Sequence, residues 1–353
     1  MTLKNWSLTI AGTIAFASCT PDEPGSGTGA GYLHGAYVTN EGAFGNSNGS
    51  VSYIDIDSSK VTNHLFESVN GRPLGDVVQS MGFGGDKGFI VVNNSQKVEV
   101  VDLATFASLG AISGLEYPRH FLAKDDRKGY LTDGNFTGRV YVIDIESHVI
   151  TDTIPCGSGP EKMIMYGKHL LVANSGGWGN DSTITVIDTG SDRVTNTWTV
   201  GNNPADMVLD KSGGLWVLCK GKVVWGADFS IAEETSSTLI SVDPGSGEIL
   251  ESLSIGSVGD YYWPQRLALN RDRDRILFLE AEGIWSVSRQ AADKKLLVPG
   301  YFYGFGVDPG SDVIYGLSAL SFTTSGKVLR YQPAGTAIDT LEVGIGPSMV
   351  VFN

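Results

Sequence analysis

Residues 157–201 read GSGPEKMIMYGKHLLVANSGGWGNDSTITVIDTGSDRVTNTWTVG. Four short apolar runs lie within them, Met163–Tyr166, Leu170–Ala173, Ile184–Ile187 and Val194–Val200, separated by the turn-rich segments GK, NSGGWGNDS and DTGSD. Runs of this length bounded by Gly, Asn, Asp and Ser predict a four-stranded antiparallel meander. A single sheet of this kind cannot bury both of its apolar faces. It needs similar sheets on either side, so the segment implies copies of itself.

The copies are present. The ends of the third strands read SYIDI, EVVDL, VYVIDI, TVIDT, LISVDP, IWSVSR and VLRYQP, with marker positions Asp55, Asp102, Asp144, Asp188, Asp243, Ser288 and Gln332. The steps between markers are 47, 42, 44, 55, 45 and 44 residues. That spacing predicts an all-β, seven-bladed β-propeller of four-stranded antiparallel blades, with one insertion in the fifth. A second marker precedes the first strands: YPRHF at Pro118, GPEKM at Pro160, NPADM at Pro204, WPQRL at Pro264 and GPSMV at Pro347. The phase of the repeat also predicts how the ring closes. The first strand-like run, Ala36–Asn40, is a second strand, and the last, Pro347–Phe352, is a first strand. The C-terminal strand should therefore complete the first blade and remove the open edge.

The chain has 353 residues and a formal net charge of −14. Such a balance argues against a nucleic-acid backbone as ligand, because that requires clustered Lys and Arg. Near the N-terminus, Lys4 precedes the apolar run Trp6 to Phe16 and then Phe16-Ala17-Ser18-Cys19. This is a basic region, an apolar region too short to span a bilayer, and small residues before a cysteine. It resembles a bacterial lipobox, which implies a signal peptide over 1–18, cleavage before Cys19 and acylation of its thiol. Thr20-Pro21-Asp22-Glu23 resembles the export tag of Bacteroidetes surface lipoproteins. Residues 19–31 then read as a flexible tether and 32–353 as the propeller. Cys156 and Cys219 read as small buried apolar residues, with nothing in their spacing that indicates a disulfide or metal pair.

In a propeller, the loops from second to third strand and from fourth to first strand open on one face. The second strands end in Asn40, Asn93, Asp133, Asn174, Cys219, Glu280 and Leu317. Amides and carboxylates dominate this column, and Asn93, Asp133 and Asn174 are expected to contact ligand at its rim. The third-strand aspartates sit before tight turns on the opposite face, and Asx-turn bonding accounts for them. The second-to-third loops each carry a large aromatic among Gly, Asn and Ser: Phe44, Phe136, Trp178 (with Asn180 beside it), Trp225 with Phe229, and Phe322. One ring per repeat at one topological place predicts apolar faces around a single mouth. The fourth-to-first connections add Arg119 and His120, then Tyr261, Tyr262, Trp263 and Arg266, then Tyr301 and Tyr303. A concave face of aromatics with a few convergent polar groups is the usual composition of a small-molecule site.

Catalytic and metal motifs do not stand out. The five histidines are scattered, and only His120 falls on the expected mouth. No GxSxG, HExxH or P-loop occurs. Carboxylates at the mouth (Asp133, Glu161, Asp206, Asp260, Glu280) leave open a calcium-dependent, lactonase-like hydrolase. The residues alone also leave open an adhesion or glycan-binding surface module.

Tyr37-Val38-Thr39-Asn40, with the VID-turn and GxxP markers over residues 36–353, resembles the YVTN-type, YncE-like propeller family. With the leader, the acidic tag and the aromatic loops, the chain resembles the BtuG family of Bacteroidetes surface lipoproteins. The resemblance implies capture of cobalamin at the cell surface and its transfer to a TonB-dependent outer-membrane receptor. It implies no catalytic residue and no cofactor other than the transported corrinoid.

Overall fold

The computed structural model describes residues 31–256, 266–289 and 293–353. The leader, Cys19, the acidic tag and the aromatic run Tyr261, Tyr262, Trp263 lie outside the described residues. Residues 31–353 form one compact unit. It is built of seven four-stranded antiparallel sheets, with one short helix among the described residues, Leu65–Asn70.

Six blades follow the chain from the innermost strand outward. Their innermost strands are Val78–Gly84, Pro118–Ala123, Pro160–Tyr166, Pro204–Leu209, Leu267–Leu269 and Gly304–Val307. The first blade is composite. Its inner strand is Pro347–Phe352, which pairs antiparallel with Gly35–Asn40 in the register Ala36↔Phe352 and Val38↔Val350. Pro347–Phe352 also lies between the innermost strands of the second and seventh blades, so the ring closes as the repeat phase predicts. The fifth blade carries the insertion, a hairpin of Val223–Trp225 with Ile231–Glu234. The outer edge of the first blade is abbreviated. Val61–Thr62 is followed by the helix, which sends Leu65 and Phe66 into the core beside Phe106.

Strand alternation explains the stacking. In Lys128–Asp133, Tyr130 faces the fourth blade with Met163 and Leu170, while Leu131 faces the second with Phe89 and Val91. Both faces are apolar because each blade is covered on both sides. Each fully buried Val, Leu or Ile contributes about 1.5–3 kcal/mol of hydrophobic stabilisation. At the far face the third-strand aspartates cap their turns as the sequence predicts: Ser58, Thr105, Ser147, Ser191 and Ser246 donate backbone N–H to Asp55, Asp102, Asp144, Asp188 and Asp243 at 2.7–2.9 Å.

The proline markers have a structural meaning. Pro118, Pro160, Pro204 and Pro347 each begin an innermost strand, opposite Asp133, Asn174, Cys219 and Asn40. Immediately after each the register slips. The bulged residues are Arg119 and His120, Glu161 and Lys162, Ala205, and Ser348, with Gln79 in the same place after Val78. A β-bulge bends the strand and re-aims its side chains. Here the bulges of five of the seven blades form an arc around the top of the central channel.

Candidate functional site

The arc of bulges forms the floor of a funnel. Above it lies a recess of about 870 Å³. Glu41, Phe44, Trp178 and Phe322 from second-to-third loops line it together with Tyr117, Arg119, Arg266 and Tyr303 from the other connections. Both classes of loop thus open on one face. A second recess of about 420 Å³ shares Tyr117, Arg119, Glu161, Trp178 and Lys220 with the first and extends to Trp225. The two form one contiguous depression at the upper end of the size range of small-molecule sites, or beyond it.

Its walls are aromatic. The Trp178 ring lies 4.9 Å from Tyr117 and 5.8 Å from Phe136, and the Arg119 guanidinium lies 5.4 Å from the Tyr117 ring. On another side of the same recess Tyr303 meets Phe322 edge-to-face at 5.3 Å. These rings remain open to solvent: Trp178 is 67% exposed and Phe44 78%. The Trp178 loop is held by backbone bonds from Ser175 N to Gly159 O (2.8 Å) and Gly176 N to Ser158 O (2.9 Å). Gly159, at φ +60°, supplies the left-handed turn that brings the two segments together.

The floor is charged. Arg119 donates Nε–H to both oxygens of Glu161 (2.9 and 3.0 Å) and Nη1–H to Gln79 Oε1 (2.6 Å). The Arg119 guanidinium and the neighbouring His120 offset the burial of Glu161 and hold its carboxyl well below the usual carboxylate range. Burial pushes the Glu41 carboxyl up, and Tyr303 donates its hydroxyl to Glu41 Oε2 at 3.1 Å. Lys220, anchored by its backbone N–H to Asn203 O, brings its side chain to the same floor.

The expected site residues divide into three groups. Phe44, Arg119, Trp178, Arg266, Tyr303 and Phe322 line the larger recess, and Trp225 lines the smaller. Phe136 reaches it through Trp178. Tyr301 is exposed at the rim but is not among the residues lining either recess. Asn180 is exposed, with its carbonyl oxygen taken by Asn203 Nδ2 at 2.9 Å.

Asp133, Asn174 and His120 require correction. Asp133 is fully buried and accepts the backbone N–H groups of Glu116 and Tyr117 at 2.9 and 3.0 Å. Asn174 is fully buried, and its amide donates to Thr183 and Thr185 hydroxyls at 3.0 and 2.9 Å. Asn93 borders the recess, but its amide is committed to Pro118 O at 2.9 Å. Asp133 thus ties its strand end to the preceding loop, Asn174 to the neighbouring strand and Asn93 to the next blade. His120, 6% exposed, is turned by its bulge away from the mouth into the channel beneath, where Met81, Phe305 and Met349 line a separate cavity. Its Nε2 stands 3.6 Å from Glu161 Oε2, and burial lowers its pKa to about 4. Glu161, expected among the mouth carboxylates, lines the recess, while Glu41, Gln79 and Lys220 belong to it and were not among the expected contacts. The bulges were the missing signal. Among the described residues no group of three His, Cys, Asp or Glu side chains is arranged to hold a metal ion.

Among solved structures, a quinoprotein alcohol dehydrogenase-like protein from Bacteroides thetaiotaomicron is similar at TM-score 0.66 and 14% identity, over 91% of this chain and 78% of that one. Hydrazine synthase from Kuenenia stuttgartiensis is similar at TM-score 0.60 and 17% identity, over 79% of this chain and 92% of that one. At these identities the likeness concerns the fold. No curated protein matches the sequence. The match that covers most of the blades is to a domain of unknown function, DUF5074, over residues 34–261, and the chain belongs to that family.

Proposed function

We propose that the funnel captures a large, rigid, partly apolar ligand of the corrinoid class, cobalamin or a close relative, and releases it chemically unchanged. The observation that carries this reading is the set of exposed rings, Phe44, Phe136, Trp178 and Phe322, backed by the half-buried Tyr117 and Tyr303, around one contiguous recess. Exposed aromatic faces offer large contact area at low conformational cost. A corrinoid presents a broad ring system fringed with amides, which suits aromatic walls over a polar floor. In this reading the protein is a surface lipoprotein of the outer membrane, held through Cys19, that passes its cargo to a TonB-dependent receptor. The leader pattern and the family resemblance in the sequence support that part.

Titration of intrinsic tryptophan fluorescence with cyanocobalamin tests the proposal, since Trp178 and Trp225 border the recess. Saturable quenching at stoichiometric ligand, weakened in Trp178→Ala, is the expected result. No saturable change at high micromolar ligand would sink it. A second reading, adhesion to a glycan or protein surface, is favoured by Phe229, which is 87% exposed on the inserted hairpin and outside both recesses. It predicts shallow binding that survives Trp178→Ala and is lost in Phe229→Ala.

A further inference from the structure

The sign of the funnel floor is opposite to that of the chain. Around the neck stand three cationic side chains, Arg119, Lys220 and Arg266, with the carboxyls of Glu161 and Glu41. Arg119 and Glu161 are paired with each other. Glu41 is held by Tyr303 and pushed by burial toward its neutral form. Lys220 and Arg266 remain. Among the described residues neither has a carboxylate within ion-pair distance, and the buried Arg266 Nε has no hydrogen-bond partner. Burial, the largest influence, disfavours the Lys220 ammonium; Glu161 and Asp206 act on it favourably from beyond ion-pair distance and are opposed by Arg266 and Arg119, so its charge is only partly compensated. An uncompensated cation out of water is costly and is seldom kept unless something completes it.

We propose that Lys220 and Arg266 form an anion subsite at the floor of the funnel, which takes a carboxylate or phosphate group carried by the ligand. The subsite rests on the reading of the funnel as a ligand-capture site and adds the chemical class of the group at its centre. Adjacent blades supply the pair: Lys220 follows the second strand of the fifth blade, Leu215–Cys219, and Arg266 precedes the inner strand of the sixth, Leu267–Leu269. The guanidinium offers a planar fork and the ammonium a point charge, a combination suited to an oxyanion. The aromatic walls then bind the body of the ligand, while the floor fixes which end points inward. The overall charge of −14 repels small anions from the rest of the surface, so the positive floor also selects for anions attached to an apolar body.

Calorimetric titration of the full-length protein with inorganic phosphate, and in parallel with citrate, tests the subsite. The expected result is one saturable site for at least one probe, and the stronger probe identifies whether the ligand group is a phosphate or a carboxylate. Lys220→Met and Arg266→Met should each weaken that site by about tenfold or more. Lys220→Arg should retain it, and the surface variant Lys60→Met should titrate as wild type. Lys220→Met should also melt no lower than wild type, because it removes an unpaired charge; a structural role would lower the melting temperature. Absence of saturable heat with both probes at tens of millimolar overturns the proposal, as does wild-type binding in both Met variants. The cyanocobalamin titration is read separately. Quenching without anion binding removes the subsite and leaves corrinoid capture standing; anion binding without quenching does the reverse.

Discussion

Arg119 Nη2 lies 2.8 Å from Glu161 Oε1, although 42 residues separate them and each belongs to a different blade. Both are bulged residues one position past a proline that starts an innermost strand. The register slip that re-aims one side chain re-aims the other, and the two meet over the channel as a clasp between the third and fourth blades.

Glu161→Gln should therefore destabilise the fold beyond the loss of one hydrogen bond. It leaves Arg119 buried without a counter-charge, and breaking a buried pair typically costs about 3–5 kcal/mol. Removing both charges in Arg119→Met/Glu161→Gln should recover much of that loss. Equilibrium urea denaturation of the three proteins checks the prediction, and equal stability of Glu161→Gln and wild type would contradict it.

The buried His120 gives a defined pH response. Its pKa falls from 6.5 in the unfolded chain to about 4 in the fold. Between these values the unfolded chain binds more protons, so stability declines as pH drops from 6.5 toward 4 and is unaffected by this group above 6.5. The full effect is about 3 kcal/mol. Glu161, whose pKa is depressed, begins to withdraw its contribution as pH falls below its ordinary value of 4.5, so its window opens about where that of His120 ends. Stability measured against pH should fall less between 6.5 and 4 in His120→Gln than in wild type, while Lys60→Met follows wild type; the remaining pH dependence comes from other groups shifted by burial, such as His148 and Glu41.

Trp178 sits at the wall with two-thirds of its surface in water. Replacing it with Ala should change unfolding free energy by no more than about 0.5 kcal/mol. The same variant should weaken capture of a ring-bearing ligand by at least about tenfold, an effect in the range of aromatic anchors. Thermal melts alongside fluorescence titration separate the two quantities; a large loss of stability would show that the ring serves the core.

Gly159 joins three mouth segments. It donates N–H to Asn135 O at 3.0 Å and accepts from Ser175 N at 2.8 Å. A Cβ there would run into the Gly177 backbone, and φ +60° disfavours any L side chain. Gly159→Ala should push the Trp178 loop outward, lowering affinity for a mouth ligand more than Tm. A Trp178 emission spectrum identical to wild type would rule this out.

Much of the fold was legible in the sequence because each marker encodes local chemistry. An aspartate before a tight turn closes that turn, and a proline starts an inner strand where a donor is dispensable. Loop aromatics such as Trp178 were legible because nothing in a Gly- and Asn-rich loop covers them. The polar residues of the mouth were not. Asn174 and Asp133 carry the same side-chain chemistry whether they meet a ligand or hold a strand end, and only tertiary placement separates the two. His120 was misjudged because a bulge shifts a side chain from one surface to another without changing the hydrophobic pattern.

The composite first blade has a consequence for orientation. Gly35 and Asn353 exchange backbone hydrogen bonds at 3.2 and 3.1 Å, at the end of the strand Gly35–Asn40 remote from Glu41 and Phe44. That strand crosses the disc from back to front, a rise of about 17 Å over its five steps. Gly35 and Asn353 therefore both lie at the back. A chain gripped at either point, by a surface, a fused partner or a sensor chip, turns its open funnel to the solution.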